Sequence, residues 1–464
     1  MTGVAVGATG LSYQDLDGGF VLFSLGGGRA RAATRPNPLF GSRRSSVPHT
    51  GETPPARVRR LALAAVAATV TTATVSSGWL GVGPAHADDV ALPTALPDSF
   101  YSQPADIATH RDGDILAVRP RTTPPGFFDV RTYQLKFRSS DSQGKPIAAV
   151  TTLLVPIHKQ VNGPLLSFQH IINAVGLECA PSQALWTTDP NLTIREAPGL
   201  NGALQRGWTV SIPDHLGPRS AYGAARLGGQ IALDATRAVQ RFAPAQVARS
   251  KVAMAGYSGG GMATAWAAAL APTYAPELNI VGAAYGGVPM DLIKMAEGLG
   301  YNNPHPAFGL AFAAAIGLSR EYPQQIPMMK FLSPLGKQMY SEMRNACTND
   351  ILRLGAGHSA KQVSVGGEQI FEDPTARRVV QDNSLAFYPG VAKTPIFEWH
   401  SPTDVLIPVA SIDQTMRRYC RAGTRVQQFS TPSPDHMSAA VIGLLPAFDY
   451  LGDRFAGLPA PSTC

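Results

Sequence analysis

From about Tyr133 onward, short apolar runs rich in β-branched residues alternate with longer runs in which apolar positions recur at helical spacing. The short runs predict strands at Tyr133–Phe137, Ile147–Leu154, Pro164–Phe168, Trp208–Ile212, Lys251–Ala255, Ile280–Ala284, Pro395–Trp399 and Arg425–Phe429. The longer runs predict helices that include Gly229–Phe242, Gly261–Leu270 and Ser438–Phe455. Strands that alternate with helices imply an α/β fold, a mostly parallel central sheet flanked by helices. No internal repeat interrupts the pattern. Two stretches depart from it. Residues 88–130 are proline-rich and read as an irregular surface leader. Residues 291–378 hold helical runs, Ala307–Ser319 and Phe331–Cys347, but no central strand. They predict a mainly helical insertion into a core made of residues 88–290 and 379–464. This insertion carries Met295, Met328, Met329, Met339 and Met343, with Met290 just before it. Thioether side chains fill helix cores or line adaptable apolar surfaces.

Upstream of the core, Arg57, Arg59 and Arg60 precede an apolar run, Leu61 to Val75, and then Ala85-His86-Ala87 followed by two aspartates. A positive start, an apolar middle and an A-x-A end are the marks of an export signal over residues 57–87, cleaved near Ala87. The apolar run is too short and too rich in threonine to span a bilayer well. Residues 1–56 fit no such signal. They read as a disordered or mis-assigned extension, with the expected start downstream at Val47 or Val58, where a valine-type alternative start codon would fit.

The formal charge of +7 changes little, because eight arginines against three acids lie within residues 1–87. With only 15% charged residues overall, the chain is not a nucleic-acid binder. All four cysteines, Cys179, Cys347, Cys420 and Cys464, fall beyond the export signal. An even count in an exported protein implies two disulfides, and spacing leaves all three pairings open.

Candidate chemistry centres on Gly256-Tyr257-Ser258-Gly259-Gly260. The pentapeptide G-x-S-x-G is weak alone, but here a buried strand precedes it and a helix follows. That context is the nucleophile elbow, with Ser258 at its apex. Gly357-His358-Ser359 offers a decoy, but no strand precedes it and Lys361 stands at the second glycine position. A serine hydroxyl needs a base, and on such a fold the partners follow in the order serine, acid, histidine. Of the four histidines after Ser258, His305 and His358 fall in the insertion and His400 precedes the best acid. His436, read as lying in a loop before the last helix, is therefore the predicted base. Asp404, just beyond the strand Pro395–Trp399, is the predicted orienting acid. Asp413 falls on a predicted helix, and Asp435 is too close in sequence to His436 to reach its ring. The oxyanion is expected to face the backbone N–H of Gly259 and a second donor from Gln169–Ala174.

Together these residues resemble the secretory lipase family of fungi and actinobacteria, the lipase A type. The likeness runs from about residue 95 to 464. It rests on Ser167-Phe-Gln, Leu177-Glu-Cys-Ala-Pro-Ser182, Gly256-Tyr-Ser-Gly-Gly260, Tyr274-Ala-Pro-Glu-Leu-Asn-Ile-Val-Gly-Ala283, Gly286-Gly287, Phe397-Glu-Trp-His400 with Asp404, and His436. The resemblance implies an α/β-hydrolase core with a helical cap, a triad of Ser258, Asp404 and His436, and an acyl chain bound under the cap. It also implies hydrolysis of triacylglycerols and other carboxylic esters. It points to Asn173 as the oxyanion-loop position, where one member of the family carries aspartate instead. It further implies the disulfides Cys179–Cys347 and Cys420–Cys464.

The expected protein is thus a secreted or envelope-associated serine ester hydrolase with no metal and no cofactor. Its partners would be a lipid or other ester substrate and, transiently, a lipid interface, with the chain a monomer. An acyltransferase using the same triad, a serine peptidase of the same fold, and a non-catalytic binding protein with a relict triad are the rival readings.

Overall fold

The computed structural model describes residues 90–187, 197–367 and 370–464. The predicted export signal, the extension before it and its two valine starts all lie outside the described residues. A nine-stranded sheet forms the centre, in the order β1-β2-β3-β5-β4-β6-β7-β8-β9. The strands are β1 Ile115–Arg121, β2 Val130–Ser140, β3 Pro146–Pro156, β4 Leu165–Gln169, β5 Thr209–Pro213, β6 Val252–Tyr257, β7 Ile280–Gly286, β8 Ile396–His400 and β9 Val426–Ser430. β1, β2, β3 and β5 pair antiparallel in turn, and from β5 through β4 to β9 every pairing is parallel.

Continuous apolar runs become fully buried strands because both faces of the sheet are covered. In β6, Val252 and Met254 pack into one apolar layer while Ala253 and Ala255 pack into the other. The first layer includes residues of helices Ala225–Arg241, Ser258–Tyr274 and Val409–Arg421, the second residues of helices Ala197–Gln205 and His436–Phe455. Residues read as an irregular leader contain β1. The misleading signal was Pro120, which a strand tolerates when it pairs on one edge only, as β1 does.

Between β7 and β8 the described residues form no strand. They form helices, among them Leu292–Gly298, Phe308–Glu321, Pro334–Met343, Thr348–Gly355 and Pro374–Asp382. The predicted helix Phe331–Cys347 is shorter at both ends. It starts where the Ser333 hydroxyl accepts the Gly336 N–H at 3.3 Å and Pro334 takes the first helical position. Cys179 is joined to Cys347 and Cys420 to Cys464. The first bridge links the segment after β4 to the helices between β7 and β8. The second holds the chain end against helix Val409–Arg421.

Helices Ala225–Arg241 and Ser258–Tyr274 approach closely at Gly229. A Cβ there would lie 2.9 Å from main-chain atoms of Trp266 and Ala267, which cannot yield separately. Gly229→Val is therefore expected to lower stability by about 3 kcal/mol. Urea denaturation should show a lower midpoint at unchanged slope.

Candidate active site

β6 is buried along its whole length and delivers Tyr257 and Ser258 to the C-terminal edge of the parallel strands. Ser258 has φ +54°, in the left-handed region that a residue with a Cβ rarely occupies. The turn is tight because three chains meet in it. A Cβ on Gly256 would stand 2.5 Å from the Gly260 carbonyl oxygen, and one on Gly260 would stand 2.0 Å from that of Gln169. Only glycine at both positions lets β4, β6 and the helix Ser258–Tyr274 pass at this distance.

His436 and Asp404 converge on this serine. His436 Nε2 lies 3.0 Å from Ser258 Oγ, and His436 Nδ1 lies 2.6 Å from Asp404 Oδ2. The other Asp404 oxygen accepts the N–H groups of Leu406 at 2.9 Å and Ile407 at 3.0 Å, which fixes the carboxylate. An ionised acid on Nδ1 requires a proton there, which leaves Nε2 as the acceptor for the serine hydroxyl. The Asp404 side chain is fully buried and that of His436 nearly so.

His436 opens helix His436–Phe455 rather than lying in a loop. The helix starts at His436 because Asp435, its N-cap, accepts the N–H groups of Met437 and Ser438, each at 2.9 Å. Three further contacts locate the imidazole. Tyr257 donates its hydroxyl to the His436 carbonyl at 2.5 Å and lays its ring 4.9 Å from the imidazole. Trp399 stands 5.6 Å behind Tyr257 and donates its indole N–H to the Ala439 carbonyl at 3.1 Å. Gly287, at φ +54°, fills the remaining side, where a Cβ would fall 2.6 Å from the Tyr257 ring and 2.8 Å from His436 Cε1. The acid loop and the histidine loop are stitched together: Ser401 Oγ donates to the Ser433 carbonyl and Thr403 Oγ1 to that of Pro434, both at 2.9 Å. The roles of Tyr257 and Gly287 escaped the sequence. The Gly286-Gly287 pair at the end of a strand was the available signal.

Asn173, the predicted oxyanion-loop residue, lies against Gly259, where a Cβ would stand 2.8 Å from Asn173 Oδ1. That oxygen has no hydrogen-bond partner among the described residues. Thr348 Oγ1 donates to the Asn173 carbonyl at 3.1 Å, and the Val175 N–H donates to the Ala346 carbonyl at 3.0 Å. The loop is thus held from the helical segment between β7 and β8.

The other histidines and acids are engaged elsewhere. His305 and His358 pair with each other through their backbones. His400 Nδ1 lies 3.0 Å from Glu398, which also accepts from Gln428. Burial pulls the His400 imidazole down, but the Glu398 carboxylate outweighs it and leaves His400 above its ordinary value. Burial in turn pushes the Glu398 carboxyl up. Asp413 lies on helix Val409–Arg421 and accepts from Gln428 at 3.2 Å. Ser359 of the decoy caps a four-residue helix.

An apolar pocket opens beside Ser258 and Gly259, with Met262, Met295, Leu310 and Leu318 in its walls. A second has Phe308, Phe312, Met328 and Phe331 among its lining residues. The two share Ala296, Ala311 and Ala315 as a common wall. Of the methionines singled out by sequence, Met295 and Met328 line these cavities, while Met290, Met339 and Met343 are core residues. No cluster of three or more potential metal-binding side chains occurs among the described residues.

Known proteins resemble this chain along most of its length. The family model described as secretory lipase matches residues 191–463. Lipase A of Arthroderma benhamiae is 32% identical over 397 residues, covering 82% of this chain and 83% of its own length. A secreted triacylglycerol lipase of Malassezia globosa is 31% identical over 384 residues, covering 80% and 81%. Among solved structures, Candida antarctica lipase A in its closed state superposes with a TM-score of 0.74 at 28% identity, covering 81% of this chain and 90% of that one.

Gly287→Ala tests how closely the imidazole is held. The added methyl meets both the Tyr257 ring and His436, at a φ that alanine disfavours. Displacing the imidazole by a fraction of an ångström to one ångström is expected to lower turnover of a soluble nitrophenyl ester about 10²-fold. A rate within twofold of the parent would show that the packing does not position His436.

Proposed function

The chain belongs to the secretory lipase family, and on that premise we propose that it hydrolyses triacylglycerols and related carboxylic esters through Ser258, His436 and Asp404 by way of an acyl-enzyme. The chain is a carboxylic ester hydrolase of the lipase type. The observation that carries the residue assignment is the unbroken relay from Ser258 Oγ through His436 to Asp404, at 3.0 Å and 2.6 Å.

In this reading His436 Nε2 takes the Ser258 proton as Oγ attacks the ester carbonyl carbon. Asp404 keeps the imidazole in its tautomer and stabilises the imidazolium that forms. The oxyanion is held by the Gly259 N–H and by a donor at Asn173. The Gly259 N–H belongs to the first helical turn, whose amides have no intrahelical acceptor. Collapse of the intermediate passes the imidazolium proton to the leaving alcohol and leaves the acyl group on Oγ. Water, deprotonated by His436, then attacks the acyl carbonyl and releases the fatty acid.

The helical segment over residues 291–378 is proposed as a cap on a core of residues 88–290 and 379–464. The paired apolar cavities support it, because an acyl chain whose carbonyl reaches Ser258 needs a dry channel leading away. Export is supported by relatives that are secreted lipases and by two disulfides, which persist in oxidising compartments. Residues 57–87 are proposed as the signal, cut near Ala87.

Ser258→Ala is expected to lower ester hydrolysis by about 10⁴–10⁶-fold and Asp404→Asn by about 10⁴-fold, without loss of fold. A phosphonate ester should label Ser258 in the parent, read by peptide mass. Unchanged activity of purified Ser258→Ala protein would end the assignment. Ala315→Phe places a ring in the wall between the two cavities. Hydrolysis of long acyl esters is expected to fall roughly tenfold relative to acetyl esters. An unchanged chain-length profile would remove the cavities from the acyl path.

A further inference from the structure

The helix that begins at His436 has an unusual solvent face. Surface helices ordinarily carry charged or polar side chains outward. From Met437 through Phe448 this helix has no ionisable residue, and the first charge after His436 is Asp449. The exposed positions in this stretch are Met437, Val441, Ile442 and Leu445. Val441 is 66% exposed and Leu445 is 63% exposed. Met437, Val441 and Leu445 stand four residues apart and form one stripe. Val405, 82% exposed, directly follows Asp404. Because Asp404 and His436 touch, Val405, next to Asp404 in its loop, and Met437, next to His436 in the first helical turn, both lie near that contact.

The helix cannot roll to bury this stripe. Gly443 sits on Trp399, where a Cβ would stand 2.0 Å from the indole ring, and Gly199 sits on Leu444, where a Cβ would stand 2.5 Å away. The stripe stays exposed among the described residues, and a contiguous apolar patch of this kind marks a contact surface.

We infer that Val405, Met437, Val441, Ile442 and Leu445 form the surface by which the protein lies on an uncharged ester–water interface. The inference rests on the proposed triacylglycerol substrate. Such a substrate is an oil, and its carbonyl must reach Ser258 from a bulk phase. The stripe starts at the reacting histidine and borders the acid, so docking there brings the relay to the oil. The lack of charge suits a neutral lipid and not an anionic headgroup layer, for which basic residues would be needed. No described helix is long and apolar enough to cross a membrane, so this contact is peripheral.

The test compares the full exported chain with V441E/L445E. Glutamate is a better helix former than valine and about equal to leucine, so the exposed helix should persist. The probes are trioctanoin droplets, with adsorption read by flotation, and a soluble nitrophenyl butyrate assay. The expected result is soluble turnover within about twofold of the parent, with droplet adsorption and droplet hydrolysis both reduced about tenfold. Parent adsorption should stay constant over a roughly tenfold range of salt. If V441E/L445E does not fold, V441S/L445T carries the same test, with a loss of about threefold expected. Unchanged adsorption in the folded variant overturns the inference. So does conversion of a dimer to a monomer with adsorption kept, which would mark the stripe as a self-association face. A lower melting temperature with adsorption kept would mean that the chain itself covers the stripe, and overturns it equally. A parent that adsorbs to droplets but hydrolyses neither substrate would defeat the proposed function and leave the docking surface standing.

Discussion

Ser258 holds a left-handed backbone that costs about 1–3 kcal/mol, and the structure is organised to impose it. The strand before it is buried on both faces, and the helix after it has its first residues pressed on β4 and β7. Gln169 meets Gly260 from one side and the Gly286 carbonyl meets Gly261 from the other. The serine cannot relax without moving the centre of the sheet. Its hydroxyl is therefore presented at a fixed height above the strand ends, where the other two members of the relay must come.

Those two arrive by different means. Asp404 is set by its own loop, through two backbone amides and two bonds to the histidine loop. His436 is set by aromatic packing and a helix start. Trp399 touches the story twice: it backs Tyr257, and it receives Gly443 of the helix that His436 begins. Tyr257, which precedes Ser258, thus also anchors His436, through its hydroxyl on the His436 carbonyl. Ser258 and His436 are coupled through β6 and β8 before they meet at the hydrogen bond between them.

Much of this was readable in the chain, for a physical reason. Buried parallel strands must be nearly all apolar, so β4 to β8 announced themselves, and the positions of Ser258 and Asp404 followed from strand ends. β1 was missed because an edge strand needs only one partner and can keep a proline. The N-terminus of the last helix was missed because Pro432 and Pro434 mimic a loop that continues, while the Asp435 cap that ends it is a single residue. The support from Tyr257, Trp399 and Gly287 was hidden because it is packing between distant segments, and packing leaves no periodicity. A positive φ at Gly287 is invisible in sequence except as one more glycine among 46.

The segment between β7 and β8 is more than a cover for the cavities. Arg320, nearly fully buried, donates to the carbonyls of Val175 at 2.6 Å, Arg344 at 2.7 Å and Ala91 at 3.0 Å. A buried guanidinium survives only where several carbonyls replace its water, so these bonds are strong constraints on each backbone they reach. Val175 closes the loop that carries Asn173, and the same loop is held by Thr348, Ala346 and the Cys179–Cys347 bridge. The cavity walls built by the helices between β7 and β8 and the loop that carries Asn173 are therefore tied together. In the proposed function these ties are the link between acyl binding and the loop beside Gly259, while His436 and Asp404 take their own supports from β8 and the last helix. On the proposed mechanism, acyl binding and charge stabilisation would share one set of supports on one side of Ser258, and proton transfer would rest on a different set on the other.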